Sequence, residues 1–456
     1  MTIGLGLWYL PVPAGLDVKT WHLFAIFMAT VVALIAKPLP MGPIALLAIV
    51  VSLSTKTLTI QQALSSYSSK IPWLILVAIM IARGFVKTGL GSRIAYYFIA
   101  LLGRSTLGLS YGIVSTEMLL APFVPSNTAR GAGIIYPVLS SLALQFGSDP
   151  EAGSERKLGA FLIKVAYQAN LIASAMFMTA MAANPLIASL AGGMGINIDW
   201  TTWALAAIVP GLVNMIVLPP LMMVFYPPEI RHTPEAPEMA RKKLSEMGSL
   251  SFDELVMVFT FGLLLTLWVV GATFGIDATT TAFLGLGILL FSGVLNWNDV
   301  LNEHNAWNTF FWLATLLMLA GHLSEFGLMT WFSGHVQGYV ASFHWVTTLA
   351  IVALIYYYSH YFFASMTAHV TAMFSALLVV TIATGAPPML AALLMAFLSN
   401  LCASITHYGT GTAPVYFASN YVKVGEWWRV GFIFSLVSIA IWAGIGSIWW
   451  SFIGLW

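Results

Sequence analysis

Residues 122–131 read Pro122-Phe123-Val124-Pro125-Ser126-Asn127-Thr128-Ala129-Arg130-Gly131, and residues 360–369 read His360-Tyr361-Phe362-Phe363-Ala364-Ser365-Met366-Thr367-Ala368-His369. Two prolines stop the apolar run ahead of Ser126, and the Ser126, Asn127 and Thr128 side chains can cap a helix that follows. Ser365 and Thr367 stand at the matching point of the second stretch, 239 residues after Ser126 and Thr128. The flanking apolar arms, 107–123 with 131–146 and 347–362 with 368–384, are short and broken by polar residues at the tip. They are expected to form two re-entrant helical hairpins rather than full spans.

The rest of the chain belongs to a membrane. Of 456 residues, 59% are hydrophobic and 8% charged, with a mean hydropathy of +0.88, against roughly 45–50% and about 25% in soluble domains. That excludes a soluble globular protein, a disordered chain and a nucleic-acid binder. Apolar stretches near 21–36, 39–54, 71–86, 157–178, 201–226, 252–274, 278–295, 308–324, 344–360, 388–406 and 429–453 read as spanning helices. The expected fold is an all-α polytopic membrane protein with about 11 transmembrane helices and two re-entrant hairpins. Met1 to Leu16 has no basic residue ahead of its apolar stretch, so no cleaved secretory signal is expected and the transmembrane helices themselves direct insertion.

Weak self-similarity divides the chain around a polar segment from Tyr226 to Ser251. Trp73-Leu74 recurs as Trp312-Leu313, Lys87-Thr88-Gly89-Leu90 as Glu325-Phe326-Gly327-Leu328, and Asn170-Leu171-Ile172-Ala173-Ser174 as Asn400-Leu401-Cys402-Ala403-Ser404. With the two tips these make four matches in one order, at offsets of 230 to 239 residues, which is the mark of a duplication. Lys19, Lys37, Lys56, Lys70, Arg83, Lys87, Arg93 and Arg104 are the only charges between 19 and 104, whereas every charge from Glu246 to Glu325 is acidic. Basic residues collect on cytoplasmic loops. Equivalent segments therefore fall on opposite sides of the membrane, and two inverted-topology repeats, as in many secondary transporters, are expected.

In such a carrier the substrate site forms where broken helices meet near the midplane. Four residues beyond each tip serine stands a basic side chain, Arg130 in one half and His369 in the other. An intramembrane arginine is costly and marks a functional site. Two near-symmetric cationic groups beside paired hydrogen-bond donors imply an anionic ligand, a dianion with a carboxylate at each end. Asn170, Ser174 and Asn184-Pro185 in the first half, and Asn400, Ser404 and Gly409-Thr410-Gly411-Thr412-Ala413-Pro414 in the second, add a second polar pair where Gly and Pro unwind a helix. No phosphate-binding Gly-x4-Gly-Lys-Ser/Thr loop and no His-Glu-x-x-His pair occur, and Cys402 is the single cysteine. No cofactor, metal or disulfide is expected.

Ser126-Asn127-Thr128 and Ser365-Met366-Thr367, each at a hairpin tip, with Thr412-Ala413-Pro414 after the second, resemble the divalent anion:sodium symporter family over nearly the whole chain. Ser126 to Gly131 and His360 to His369 resemble its exchanger branch, which includes the INDY-type dicarboxylate exchangers. The resemblance implies a homodimer in the lipid bilayer, in a bacterial plasma membrane, with a scaffold domain at the interface and a transport domain that moves as an elevator. It divides the chain into scaffold helices at 1–104, a transport part with the first hairpin at 105–226, a polar cytoplasmic linker at 227–251, scaffold helices at 252–342 and a transport part with the second hairpin at 343–456. It also implies that Ser126, Asn127, Thr128, Ser365 and Thr367 bind substrate carboxylates. Met366 stands where sodium-coupled members have Asn, and Arg130 and His369 stand near where those members arrange sodium.

The expected function is exchange of dicarboxylates such as 2-oxoglutarate, malate, succinate or fumarate. Arg130 and His369 would supply positive charge in place of sodium, so that the empty carrier, with that charge uncompensated, crosses rarely. A sodium-coupled symporter for the same anions is the alternative. A membrane-embedded enzyme using Arg130, His369 and Glu117, and a channel, are further alternatives that the inverted repeat and the occluding tips disfavour.

Overall fold

The computed structural model describes residues 2–36, 38–340 and 343–456. Lys37, one of the basic residues in the charge argument, and the domain boundary at 342 lie outside the described residues. Among the described residues there is no strand, only an isolated antiparallel bridge between Ser105 and His232.

Two glycines turn the chain at matching places. Lys70–Thr88 ends at Gly89, whose φ of 77° is left-handed, and Leu90–Leu102 begins at once. His304–Glu325 meets Gly327, with φ 85°, ahead of Leu328–Val340. Only glycine takes that conformation at no steric cost, so the recurrence of Lys87-Thr-Gly-Leu as Glu325-Phe-Gly-Leu preserves a corner.

Beyond each corner the elements follow one order. Thr106–Leu120 leads to the first tip, then a π-helical turn, Ala129–Ile135, running into Tyr136–Gln145; Trp345–Ser359 leads to the second tip, then Met366–Ala383. Each hairpin is followed by a broken helix. Gly159–Met176 stops at the extended Phe177, passes through a 3-10 turn, Met178–Ala180, and resumes as Ala183–Gly192. Pro388–Leu401 passes through Cys402–Ser404 and resumes as Thr412–Ala418. Every residue of Gly159–Met176 is buried. A helix buried on every face belongs to a core, and this one packs against Pro388–Leu401, with the Tyr167 hydroxyl donating to the Ala403 carbonyl at 2.6 Å.

Among the described residues six helices are long and apolar enough to cross a membrane: Lys70–Thr88, Trp200–Phe225, Phe252–Val270, His304–Glu325, Met366–Ala383 and Val424–Phe452. Met366–Ala383 nearly coincides with the second arm expected at 368–384, and its 18 residues, free of Asp, Glu, Lys and Arg, are apolar enough to count among the six. Leu90–Leu102 and Leu328–Val340 were not expected as helices; their polar residues dilute the apolar signal. The outer faces are greasy: Leu255, Val258, Phe259 and Val269 on Phe252–Val270 are all exposed, as suits a lipid-facing surface. The polar linker forms Ala236–Glu246 and is fastened by Arg93, which donates to Glu254 at 2.6 Å and to the carbonyls of Met247 and Gly248. Glu254 also closes a capping box with Ser251 that starts Phe252–Val270.

The corners give a prediction of opposite signs. Gly89→Ala is expected to destabilise the protein by about 1–2 kcal/mol, the cost of a left-handed alanine. Gly262→Ala, in an exposed helix interior with nothing within 4 Å of the new Cβ, is expected to stabilise it by roughly 0.5–1 kcal/mol. Thermal unfolding of the two variants in detergent checks the contrast.

Candidate functional site

The second arm of each hairpin begins with its serine. Ser126 accepts from the Ala129 amide at 3.1 Å and Ser365 from the Ala368 amide at 3.4 Å. A capping hydroxyl used as acceptor keeps its own proton to donate elsewhere. Both serines line one cavity of about 240 Å³, together with Asn127, Thr367, Thr410 and Gly411. Its other wall is made by Met41, Ile79, Asn305 and Thr309. Among the described residues no charged side chain lines it. Asn305 and Thr309, one helical turn apart on His304–Glu325, were not among the expected site residues; an Asn and a Thr at four-residue spacing is too common a pattern to single out.

The first tip is held in place by buried polar contacts. The Asn127 amide donates to Thr410 at 2.6 Å, and Asn170 donates to the Asn127 carbonyl at 3.0 Å and to Glu117 at 2.9 Å. Thr412 donates to Asn170 at 3.4 Å. Gly411 is needed here because a Cβ on it would lie 2.4 Å from the Thr128 hydroxyl. Asn184 donates to the carbonyls of Ser174 and Phe177, and Asn400 donates to Asn184 at 2.8 Å. Ser404 lies further off, donating to the Gly431 carbonyl and paired with the Tyr357 hydroxyl. Ala413 is buried and Pro414 exposed, and neither reaches the cavity.

Arg130 and His369, expected to face the ligand, lie off the cavity in this structure. Arg130 is fully buried and turned into the hairpin, where Nε donates to Glu117 at 3.1 Å. Its remaining donors go to the carbonyls of Val124 and Ala180 and, at 2.7 Å, to Ser174. Glu117, on the first arm, thus balances Arg130, on the second. His369 makes the corresponding bridge without charge: Nε2 lies 2.9 Å from the Ser359 hydroxyl, and its ring stacks on Tyr356 at 4.5 Å. Neither side chain lines the cavity. A buried guanidinium needs an internal counter-charge more than it needs a transient ligand, and an isolated Glu117 in an apolar arm was the signal in the sequence for where that counter-charge lies.

Arg130→Ala is therefore expected to destabilise the protein by about 3–5 kcal/mol, because it leaves Glu117 charged and alone. Arg130→Met with Glu117→Gln is expected to recover most of that loss. Unfolding midpoints in detergent decide it: a double variant no more stable than the single one would show that the pair is not the cause.

The model of the sodium:sulfate symporter transmembrane region matches residues 1–456. The chain is 53% identical to the putative malate transporter YflS of Bacillus subtilis, over 100% of this chain and 96% of that one. It is 49% identical to the chloroplastic dicarboxylate transporter 1 of Arabidopsis thaliana, over 99% and 82%, and 32% identical to the L-tartrate/succinate antiporter of Escherichia coli, over 96% and 94%. The fold resembles the YdaH transporter of Alcanivorax borkumensis, with a TM-score of 0.57 at 13% identity over 95% of this chain and 99% of that one. An integral, bacterial plasma-membrane location agrees with these relatives. The chain belongs to the divalent anion:sodium symporter family of membrane transporters and is not an enzyme.

Proposed function

We propose that this protein carries dicarboxylates across the membrane by exchange, binding each one in the cavity between the hairpin tips. The observation that carries this reading is the meeting of Ser126 and Ser365, each the cap of its own helical arm, in a single cavity. A helix N-terminus is equivalent to roughly half a positive charge, so two of them offset about one of the two charges of a dianion. The hydroxyls of Ser126, Ser365 and Thr367 and the Asn127 amide supply donors for its carboxylates. The size of the cavity suits a short-chain diacid better than a larger ligand. Relatives named for malate, dicarboxylates and tartrate/succinate support the substrate class.

Exchange is favoured over one-way movement on electrostatic grounds. Carrying a dianion against a membrane potential costs about 4.6 kcal/mol per 100 mV, twice the roughly 2.3 kcal/mol for one charge. Swapping one dianion for another costs nothing of this kind. Among the described residues no carboxylate lines the cavity, and one relative is named an antiporter. Because Arg130 is neutralised by Glu117, the positive field at the site is assigned to helix ends and hydroxyls rather than to Arg130 and His369.

The recurring order of elements supports two repeats, the placement of charge supports their inversion, and the six long apolar helices with five shorter ones among the described residues support about 11 crossings. The cavity has the hairpin tips on one side and Met41, Ile79, Asn305 and Thr309 on the other, which matches an elevator whose transport parts, 105–226 and 343–456, slide against scaffold parts, 1–104 and 252–342, in a homodimer.

Labelled succinate and 2-oxoglutarate uptake into proteoliposomes tests the reading. Uptake is expected only into vesicles preloaded with a dicarboxylate, with no response to a sodium gradient; sodium-driven uptake into empty vesicles would establish the symporter instead. Ser126→Ala and Ser365→Ala are each expected to weaken substrate affinity about 10- to 100-fold, the loss of a hydrogen bond to a charged group. Unchanged affinity in both would remove the tips from the site.

A further inference from the structure

Behind the second tip, away from the substrate cavity, three donor side chains meet. One ligand atom from each of His360, His369 and Cys402 lies within 4.8 Å of the others, and all three residues are buried. They come from three elements: the 3-10 turn that ends the first arm, the second arm, and the break after Pro388–Leu401.

The hydrogen bonds decide which ring nitrogens are free. His360 Nε2 lies 2.9 Å from the Gly409 carbonyl. A carbonyl can only accept, so Nε2 carries the proton and Nδ1 presents a lone pair. His369 Nε2 faces the Ser359 hydroxyl, whose own proton goes to the Tyr356 carbonyl at 3.0 Å. Ser359 therefore accepts, and His369 too is left with a lone pair on Nδ1. Neither Nδ1 has a partner, although both histidines are fully buried. An imidazole fixed through one nitrogen to a carbonyl or hydroxyl, with the other nitrogen unpaired, is the arrangement of a metal ligand with its outer support in place. The Thr406 hydroxyl beside Cys402 is also buried and unpartnered. A separate cavity of about 230 Å³, lined by Cys402, Thr406 and Tyr357, Tyr358 and Tyr361, gives a route to the cluster.

We propose that His360, His369 and Cys402 form a site for one thiophilic monovalent cation of the copper(I) class. Thiolate and imidazole donors select such soft ions. Binding forms one metal–sulfur bond, and the thiol proton leaves to solvent. Thiolate and monovalent ion then sum to zero charge, whereas a divalent ion would leave a net positive charge in a low-dielectric interior. Metal–nitrogen bonds of about 2.0–2.1 Å and a metal–sulfur bond of about 2.3 Å, spread at about 120° around one ion, place the three donors roughly 3.6–3.8 Å apart, so a closure of up to about 1 Å, within reach of side-chain rotation, completes the site. Occupancy ties both arms of the second hairpin to the broken helix within the one transport part, which leaves the slide itself free but holds the second tip shut against release and entry of the dianion, and so arrests the carrier. The arrest rests on the transport reading; the binding does not.

Cys402 is the only cysteine, so thiol chemistry reports this site alone. Purified full-length protein is titrated anaerobically with copper(I), and bound metal is counted while maleimide labelling of Cys402 is followed. One ion per chain, with labelling suppressed, is expected. His360→Gln is expected to weaken binding at least tenfold, and Cys402→Ala to abolish it while keeping metal-free uptake. X-ray absorption of the wild-type complex, which needs no variant, is expected to show one sulfur and two imidazole nitrogens on copper. A sulfur-only spectrum, or equal affinity in His360→Gln, overturns the site. In proteoliposomes, copper(I) is expected to stop counterflow by the wild type and spare Cys402→Ala; undiminished counterflow by the loaded wild type overturns the arrest, and loss of counterflow without metal counts against the transport reading alone.

Discussion

A guanidinium and a carboxylate, both wholly removed from solvent, hold the first hairpin closed. Either one alone at that depth would cost several kcal/mol, so Thr106–Leu120 and the arm from Ala129 onward are stable there only together. The constraint spreads outward. Glu117 takes its second hydrogen bond from Asn170, which also binds the Asn127 carbonyl, so the counter-charge that satisfies Arg130 also sets the height of the tip. Ser174, which takes one Arg130 donor, returns its own proton to the Asn170 carbonyl. Through Asn184 and Asn400 the same chain of buried polar groups reaches the other half.

The two halves solve one mechanical problem with different chemistry. Where the first hairpin uses an ion pair between its arms, the second uses His369 against Ser359 and Tyr356. Both devices hold a tip serine at the start of a helix, facing the same cavity. Neither leaves a free charge in it. The attraction for an anion therefore comes from fixed dipoles and hydroxyls, which do not require the burial of an unpaired ion when the cavity empties.

That arrangement also explains why the interior can be so polar in a chain so apolar. Asn170, Asn184 and Asn400 are fully buried, yet Asn170 donates to the Asn127 carbonyl at the tip and to Glu117, Asn184 to the Ser174 and Phe177 carbonyls where a helix breaks, and Asn400 to Asn184. Broken helices are tolerated at membrane depth only when other protein groups satisfy the exposed backbone. The breaks create the need, and the asparagines meet it.

The membrane class, the all-helical architecture, the paired tips and the corner glycines were legible in the sequence, because apolar run length, Pro/Gly punctuation and repeated spacing are local properties that neighbouring residues impose on the backbone. The place of Ser126, Asn127, Ser365 and Thr367 on the cavity was legible for the same reason, since they stand at polar tips, and that of Thr410 because it lies in the Gly/Thr-rich break after the second hairpin. The direction in which a side chain points was not. Arg130 read as a charge facing a ligand until Glu117, thirteen residues earlier, was seen to bind it across the hairpin. Asn305 and Thr309 entered the cavity wall, and His360 and Cys402 came to share a pocket with His369, only through packing between elements distant in the chain. Sequence by itself determined which segments enter the membrane and where they break; only the tertiary structure decided which buried polar group satisfies which, because in a low-dielectric interior that pairing is set by three-dimensional proximity and not by spacing along the chain.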